Sequence, residues 1–379
     1  MTKEIKYIGF YDLPDIHQKR VSTIAAINKM DYICNAINQA GYSVHIISPS
    51  WFKDDNDKIG YKPKKTFQLN TRKRITFCPS FSTKSKWSRN LKIIFTLSWL
   101  FLWLVLHVRR HEKILVYHVQ WLSLPIRWAK KIKGFKLVLE VEEIYGQVWQ
   151  NKNILNNWER KLIKDSDYFI AVSDVLAKIL GDRVKAIVYG NYTISDSENT
   201  HLNQNLINII YAGSIDYTKG GAYNAVRCAA FLPDHYIVHI CGPGSESDTK
   251  DLLQHISVVN EIAGKERCKY HGVLTENEIS NLLLSCQIAI NPQKSGANML
   301  TLFPSKIIKY LSYNLRVIST RIPSIENSAV SELIYFTEDD RPETFARLIQ
   351  SVDLNLNYNS KSLIMNLDED FVDQIKNLF

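Results

Sequence analysis

The stretch Tyr211–Gly221, YAGSIDYTKGG, decides the fold class of the second half of the chain. An apolar run stops there at Gly213, and the loop that follows carries Lys219 and Gly220 before a helix-like segment. Glycine lets a backbone approach a phosphate closely, and lysine supplies the opposite charge. The stretch therefore predicts a βα unit with an anion site at the carboxyl end of its strand. An ordinary βα turn without a ligand is the alternative.

More βα units follow along the chain. The apolar runs are HYIVHICG, CKYHG, CQIAINP and LRVIST, and helix-like segments separate them. The first of these runs ends in a second glycine-rich turn, with Gly242 and Gly244. Further on, Pro304 at a helix start leaves Ser305 and Lys306 in the first turn, where free amides and the helix dipole favour a diphosphate.

The first half of the chain has the same alternation. Its apolar runs are KYIGFY, YSVHIIS, EKILVYHV, FKLVLEV, YFIAVS and KAIVYG. Such repeats predict an α/β fold with two Rossmann-like, doubly wound domains facing a central cleft. We place the first domain at 1–195 and the second at 205–360, with a C-terminal helix at 361–379 that packs back on the first. Ligands of open α/β sheets bind at strand carboxyl ends, so the cleft is the expected site.

Charge is distributed unevenly along the chain. The net charge is +9, and residues 58–111 contain 13 Lys and Arg but no Asp or Glu. Such a block favours a polyanion, either the anionic leaflet of a membrane or a nucleic acid, unless it is simply a solvated surface. The chain has no recognisable nucleic-acid-binding module, so we expect no nucleic acid partner.

Cysteine usage and the N-terminus bear on the compartment. The six cysteines are scattered, with no CxxC pair, which favours reduced thiols in a cytosol. The N-terminus runs straight into a strand-like stretch without a signal-peptide core, so we expect the protein not to be secreted.

The most apolar run is Ile93–Val108, IIFTLSWLFLWLVLHV. Basic residues at both ends and His107 within it argue against a transmembrane helix. An ordinary buried helix is one alternative. A helix partly embedded in the membrane face is the other, favoured by Trp99, Trp103 and the basic block. We therefore expect a cytoplasmic protein attached peripherally to the inner face of the cell membrane.

Taken in order, these features resemble a known family. Residues 208–320 resemble the donor domain of GT-B glycosyltransferases, in particular the large retaining family 4, and the segment NKMDYICNAINQAGYSVHIISPS resembles the start of the acceptor domain. In that family the corresponding residues hold the diphosphate of a nucleotide sugar. The matching residues here are Gly213, Lys219, Gly220, Gly242, Gly244, Pro304, Ser305 and Lys306.

The chain departs from the family pattern at four positions. Lys309 stands where the family has a ribose-binding glutamate, and Thr301 stands where it has that glutamate's partner, eight residues earlier. Ser214 replaces a basic residue, and Asn314 replaces a glycine. Asparagine can also adopt the left-handed conformation. The resemblance therefore implies a missing ribose carboxylate contact. We keep Ser214 and Lys309 in the predicted donor site, where Lys309 meets phosphate or faces solvent.

Candidate catalytic groups follow strands of the first domain. His118 ends VYHV, and Glu142 and Glu143 end LVLEVEE. A carboxylate here would act as general base on an acceptor hydroxyl or would stabilise oxocarbenium-like charge. A surface carboxylate cluster is the alternative. We favour Glu143, then Glu142, then His118.

The loop after the first strand supplies candidate acceptor-side residues. They are Tyr11, Asp12, His17 and Arg20.

The sequence thus predicts a glycosyltransferase that moves a sugar from a nucleotide-diphosphate sugar, UDP-linked in our reading, to a lipid-linked or growing polysaccharide acceptor. The setting is bacterial surface-polysaccharide assembly at the cytoplasmic membrane face, with residues 58–111 on the anionic membrane. The resemblance implies that amides and basic side chains hold the diphosphate, so we expect no metal and no cofactor. The alternatives are a nucleotide-sugar 2-epimerase of the same fold and a non-catalytic GT-B accessory protein.

Overall fold

The structure is a computed structural model of the 379-residue chain. It describes residues 3–13, 20–52, 60–82, 86–144, 154–195, 206–293 and 301–379. The chain forms two compact units. The first comprises Met1–Val172, Leu176–Val188 and Glu369–Phe379, and the second comprises Ser173–Val175 and Tyr189–Asp368.

The first unit is built on an eight-stranded sheet. Its elements in chain order are β1 (Glu4–Ile8), α1 (Ile24–Gln39), β2 (Ser43–Ser48), β3 (Tyr61–Lys62), β4 (Lys65–Asn70), β5 (Lys73–Phe77), β6 (Ser80–Phe81), α2 (Lys86–His107), β7 (Lys113–Tyr117), α3 (Ser123–Lys133), β8 (Lys136–Val141), α4 (Ile154–Asp165), β9 (Tyr168–Ala171), α5 (Asp174–Leu180) and β10 (Val184–Ile187).

The strand order of this sheet is β10-β9-β8-β7-β1-β2-β5-β4. All its strand pairs are parallel except β4 with β5, while β3 and β6 form a separate two-stranded antiparallel sheet. The order reverses between β1 and β7, and such a switch point is where open α/β sheets bind ligands. The predicted parallel, doubly wound sheet is confirmed.

The end of the chain packs into the first unit. The Lys3 ammonium donates to the Phe379 carbonyl oxygen. The Phe371 ring stacks on Tyr32 with centroids 5.7 Å apart, and the Ile187 amide donates to Gln374 Oε1 at 3.0 Å. These contacts lie in the last eleven residues, which cluster with this unit.

The second unit is built on a six-stranded sheet. Its elements are β11 (Ile207–Ala212), α6 (Gly221–Ala229), β12 (Tyr236–Cys241), α7 (Glu246–Ala263), β13 (Cys268–Tyr270), α8 (Glu276–Leu284), β14 (Ile288–Asn291), α9 (Lys306–Ser312), β15 (Arg316–Thr320), α10 (Pro323–Glu326), β16 (Ile334–Thr337), α11 (Pro342–Ser351) and α12 (Ser360–Leu378), the last of which ends in the first unit.

The strand order of this sheet is β13-β12-β11-β14-β15-β16, with every pair parallel. Renumbered from its first strand this is 3-2-1-4-5-6, the order of dinucleotide-binding Rossmann folds. Asn314, the residue in place of the family's glycine, has φ +60°, so its predicted left-handed conformation is confirmed. The six cysteines are all free and buried.

Helix α2 contains the apolar run. Among the described residues, Ser88–His107 is a helix long and apolar enough to cross a membrane, but only 28% of its most apolar 18-residue window is buried. Strand β5 precedes α2 in the chain and β7 follows it, and both belong to the eight-stranded sheet. A membrane crossing at α2 would put two parts of that sheet on opposite sides of a bilayer. The helix is therefore neither fully buried nor suited to a span.

Candidate functional site

The donor half of the site lies at the carboxyl end of β11, next to the switch point of the second sheet. Helix α9 is fixed to this strand end by Tyr310, whose hydroxyl donates to the Ala212 carbonyl at 3.2 Å and accepts from the Ala212 amide at 2.8 Å. Lys306 lies one helical turn before Tyr310, on the same face of α9. The anchor therefore places the Lys306 ammonium beside Gly213, 4.1 Å from the centroid of the Tyr211 ring.

Glycines let the backbone segments at this strand end pack closely together. A Cβ atom on Gly213 would lie 3.5 Å from Lys306 Nζ, so the missing side chain leaves room next to the ammonium. A Cβ atom on Gly242 would lie 2.0 Å from the Gly213 carbonyl oxygen, and its φ of +137° also requires glycine. A Cβ atom on Gly244 would meet Ile215 at 2.7 Å.

The amides of these glycines are already used, which corrects one part of the sequence interpretation. The Gly213 amide donates to the Cys241 carbonyl at 3.0 Å, and the Gly242 amide to the Gly272 carbonyl at 2.8 Å. Gly220 has φ +69° and its amide donates to Asp216 at 3.0 Å. A ligand phosphate would have to break these bonds to use the amides. Gly213 thus leaves space beside the Lys306 ammonium, Gly242 and Gly244 permit close packing, and the lysines supply the charge.

Two lysine charges act on this opening. Burial and the neighbouring charge of Lys219 lower the pKa of Lys306 to about 7. Lys219 itself is exposed, on a turn closed by Asp216, which accepts from the Thr218 amide at 2.8 Å. Without a ligand the two ammonium groups repel each other. A dianionic group between them would relieve that repulsion.

The remaining predicted donor residues surround this opening in different ways. Pro304 is buried at the start of α9, whereas Ser305 and Ser214 are exposed. Lys309 forms an ion pair with Glu276, the first residue of α8. The sequence predicted that Lys309 contacts phosphate or faces solvent. In the structure its ammonium pairs with a carboxylate of the protein instead.

In the first unit, His118 lies just after β7 and is fully buried. Its Nε2 atom is 3.3 Å from Glu159 Oε1, a carboxylate that is also fully buried. Burial lowers the pKa of His118 to about 4, while a hydrogen bond to the Glu143 backbone opposes that shift. His118 therefore supports the loop that carries Glu143 and is not itself exposed.

Glu142 and Glu143 follow the end of β8 and are both partly exposed. Glu142 Oε1 lies 3.8 Å from the ammonium of Lys29, which donates to the Val188 carbonyl at 2.8 Å. Two residues before Glu142, Glu140 is fully buried and accepts a hydrogen bond from Tyr7. Burial and the Glu142 charge raise the pKa of Glu140. The structure thus brings a partly exposed carboxylate and a buried lysine together at this edge.

The predicted acceptor-side residues act mainly as supports of the same edge. Tyr11 is 3% exposed and its hydroxyl donates to Asp31 at 2.7 Å. Arg20 is 1% exposed and donates to the Ser50 and Cys78 carbonyls. Asp12 accepts from the Arg20 amide at 2.9 Å, and His17 lies outside the described residues. Tyr11 and Arg20 are therefore buried, and the Tyr11 hydroxyl and one guanidinium nitrogen of Arg20 donate to groups inside the protein.

An aromatic cluster at this edge was not predicted. Phe10, Trp51 and Trp121 follow β1, β2 and β7, which are adjacent strands. Trp51 packs edge to face on Phe10 at 5.0 Å and on Trp121 at 6.1 Å. Trp121 remains 39% exposed. The cluster offers an apolar surface at the switch point of the first sheet, as ligand sites commonly do. Its sequence signal is one aromatic residue shortly after each of three strands.

Within the described ranges of the chain, no group of three or more His, Cys, Asp or Glu side chains is arranged to hold a metal ion.

The two doubly wound units, each with polar or charged groups at strand carboxyl ends, define the GT-B class. Residues 30–188 match the family model described as Glycosyltransferase Family 4. The solved structures similar to this chain include sucrose-phosphate synthase from Thermosynechococcus elongatus, with a TM-score of 0.69 at 12% identity over 100% of this chain and 95% of that one.

Two further solved structures are similar. HepE from Anabaena, in complex with UDP, has a TM-score of 0.65 at 14% identity, covering 100% of this chain and 98% of that one. The lipopolysaccharide outer core galactosyltransferase WaaB, in its apo form, has a TM-score of 0.62 at 14% identity, covering 99% and 98%. No curated protein matches the chain by sequence. Residues 30–188 thus carry a glycosyltransferase family 4 domain, and the chain as a whole has the GT-B fold of these solved structures.

Proposed function

We propose that this glycosyltransferase moves a sugar from a UDP-linked donor to a lipid-linked or growing polysaccharide acceptor, at the cytoplasmic face of a bacterial membrane. One observation carries the donor half: Lys306 is held beside the space at Gly213, with Lys219 as a second cation. A similar fold, that of HepE, was solved with UDP, which supports UDP as the nucleotide.

The proposed chemistry uses the chain's own charges. The bond between the donor sugar's anomeric carbon and the diphosphate oxygen breaks, and the acceptor hydroxyl oxygen forms the new bond to that carbon. Lys219 and Lys306 stabilise the negative charge that develops on the departing diphosphate. No metal is needed for that role in this proposal. The hydroxyl proton leaves to a base, for which Glu143 is the first candidate and Glu142 the second.

The membrane half of the proposal is supported by the outer face of α2. Its exposed apolar side chains recur at helical spacing, and they are Leu91, Ile94, Phe95, Leu102 and Leu106. On α3, Trp128 and Ile132 are about 60% exposed. An amphipathic face of this kind, flanked by cations, suits an anionic membrane surface.

Part of the basic block has other roles. Lys92 is buried and donates to the Phe52 carbonyl at 2.8 Å, and Lys73 forms an ion pair with Asp31. Among the described residues of the block, the cations that remain exposed are Lys64, Lys65, Arg72, Arg89, Arg109 and Arg110. Arg89, Arg109 and Arg110 lie on α2 or just after it, and these three are the ones we assign to the membrane surface.

UDP binding and sugar transfer test the proposal together. Calorimetric titration should show that wild type binds UDP. Lys306→Met should lower the affinity for UDP by roughly 10–100-fold, because a charge-assisted contact is lost. Lys309→Met is the matched control, since that lysine is on the same helix but paired with Glu276, and it should retain most of the affinity. Transfer from a panel of UDP-sugars to membrane-extracted acceptor should survive EDTA. Equal UDP affinity in wild type and Lys306→Met would contradict the donor assignment.

A further inference from the structure

A cavity of about 340 Å³ opens in the first unit between the sheet and the last turns of α2. Its floor includes Lys6 of β1, His45 of β2 and Arg74 of β5, which are paired across adjacent strands in register. These residues lie in the first half of their strands, whereas the candidate catalytic groups follow the strands' carboxyl ends. The cavity is therefore separate from the site described above, and its volume is in the range of small-ligand pockets.

Most of the charged residues that line the cavity are cations. Lys6, Lys64 and Arg74 contribute three positive charges, and Glu4 is the one carboxylate among the lining residues. Arg74 holds Glu4 with two hydrogen bonds of 2.8 and 2.6 Å, and Lys6 pairs with Glu112 outside the lining. Lys64 is exposed and forms no ion pair within the described ranges. Its ammonium is thus available at the rim.

Hydroxyl groups and rings complete the wall. His45 Nε2 is 2.8 Å from Thr76 Oγ1, which is 2.9 Å from the hydroxyl of Thr66. Burial and the charge of Arg74 lower the pKa of His45 to about 4, so this ring is neutral at physiological pH. The Trp103 ring stacks on His107 at 4.9 Å, with the planes 9° apart. Cations beside hydroxyls match the many acceptor oxygens of a phosphate group.

The surroundings of the cavity indicate where such a phosphate would come from. Leu102 and Leu106 immediately precede the lining residues Trp103 and His107 on α2, and they are 56% and 75% exposed. A ligand with a phosphate in the cavity and an apolar tail outside would cover these leucines. A free phosphate would leave them in water.

We propose that this cavity binds the glycerophosphate headgroup of an anionic phospholipid, with the acyl chains lying over Leu102 and Leu106. The proposal deepens the membrane half of the proposed function and rests on it. It gives the α2 surface a defined lipid contact in addition to general attraction between opposite charges.

The test is calorimetric titration of the full-length chain with dihexanoyl-phosphatidylglycerol below its micelle concentration. Lys64→Glu should weaken binding roughly tenfold or more, through loss of a charge-assisted contact. Lys65→Glu is the matched control, because the change in net charge is the same but Lys65 lies 4.6 Å from the Phe67 ring and does not line the cavity. It should stay within about twofold of wild type, as an exposed charge contributes little. Leu106→Gln should lower the affinity for the lipid but leave the affinity for glycerol phosphate unchanged.

Three results would overturn the proposal. Equal losses in the two lysine variants would mean that only surface charge matters. Glycerol phosphate or inorganic phosphate binding as tightly as the lipid would make the ligand a soluble anion. If titration of wild type with the lipid releases or absorbs no heat, the cavity is not a lipid site. Sedimentation with phosphatidylglycerol vesicles distinguishes the cavity proposal from the membrane half of the proposed function. If wild type and Lys64→Glu bind vesicles equally well, the cavity proposal is refuted and the membrane assignment stands.

Discussion

The low pKa of Lys306 makes the pH dependence of UDP binding a direct probe of the donor site. The value of about 7 results from burial and from repulsion by Lys219. A bound diphosphate reverses both effects, because it pairs with the ammonium and screens the second lysine. The pKa of Lys306 should therefore rise on binding, and UDP should bind with uptake of a proton.

The size of the effect follows from the titration curve. With a pKa of about 7, the free protein holds Lys306 charged in about half of the molecules at pH 7, about a tenth at pH 8 and about a hundredth at pH 9. If the pKa in the complex is above about 9, affinity should fall about fivefold from pH 7 to 8 and several-fold more by pH 9. Close to one proton should be taken up per UDP at pH 8.

Calorimetry in buffers of different ionisation enthalpy measures both the affinity and the proton uptake. Lys306→Arg should abolish the pH dependence, because the guanidinium stays charged throughout. Lys219→Met should move the fall in affinity to higher pH, because the repelling charge is gone. UDP affinity that is unchanged from pH 7 to 9, or a pH dependence that persists in Lys306→Arg, would refute the reasoning.

Three further predictions concern the fold, the membrane face and catalysis. Gly242→Ala should lower the free energy of unfolding, measured by urea titration, by roughly 2–5 kcal/mol, because the new Cβ would meet a backbone oxygen at 2.0 Å. Gly264→Ala is the control: its φ is +66° but the space around it is open, so it should lower the free energy of unfolding by about 1 kcal/mol. Leu102→Gln with Leu106→Gln should reduce sedimentation with anionic vesicles about tenfold at unchanged thermal stability; equal sedimentation would exclude this face. Glu143→Gln should lower kcat about 100-fold or more at unchanged UDP affinity, and full activity would exclude Glu143 as the base.

The fold was predictable because its signals are local. Each parallel strand that is buried on both sides is a short apolar run, and the chain repeats such runs with helical segments between them. The conformation of Asn314 was predictable for the same reason, since it depends on one residue following a helix. The edge strand Lys65–Asn70 was missed, because four of its six residues are polar and only its pairing with Lys73–Phe77 makes it a strand.

The candidate site was predictable only in part, because contacts between distant residues decide what each group does. Lys309 meets Glu276, 33 positions away in sequence, and no local pattern predicts that pair. Arg20 follows a strand as a cleft residue would, yet one nitrogen of its guanidinium donates to buried carbonyls up to 58 positions away. The glycine amides were assigned to phosphate, but neighbouring strands and turns use them first. Residue type predicted where charge would lie, and packing decided which charges remain available.

The central claim is that the opening at Gly213, between Lys219 and Lys306, holds the donor diphosphate. A crystal structure of the chain soaked with UDP tests it most directly. Diphosphate oxygens should lie within about 3 Å of the Lys306 ammonium, in the space that a side chain at Gly213 would fill. UDP bound elsewhere on the chain, with Lys306 still stacked on Tyr211 and touching no phosphate, would contradict it.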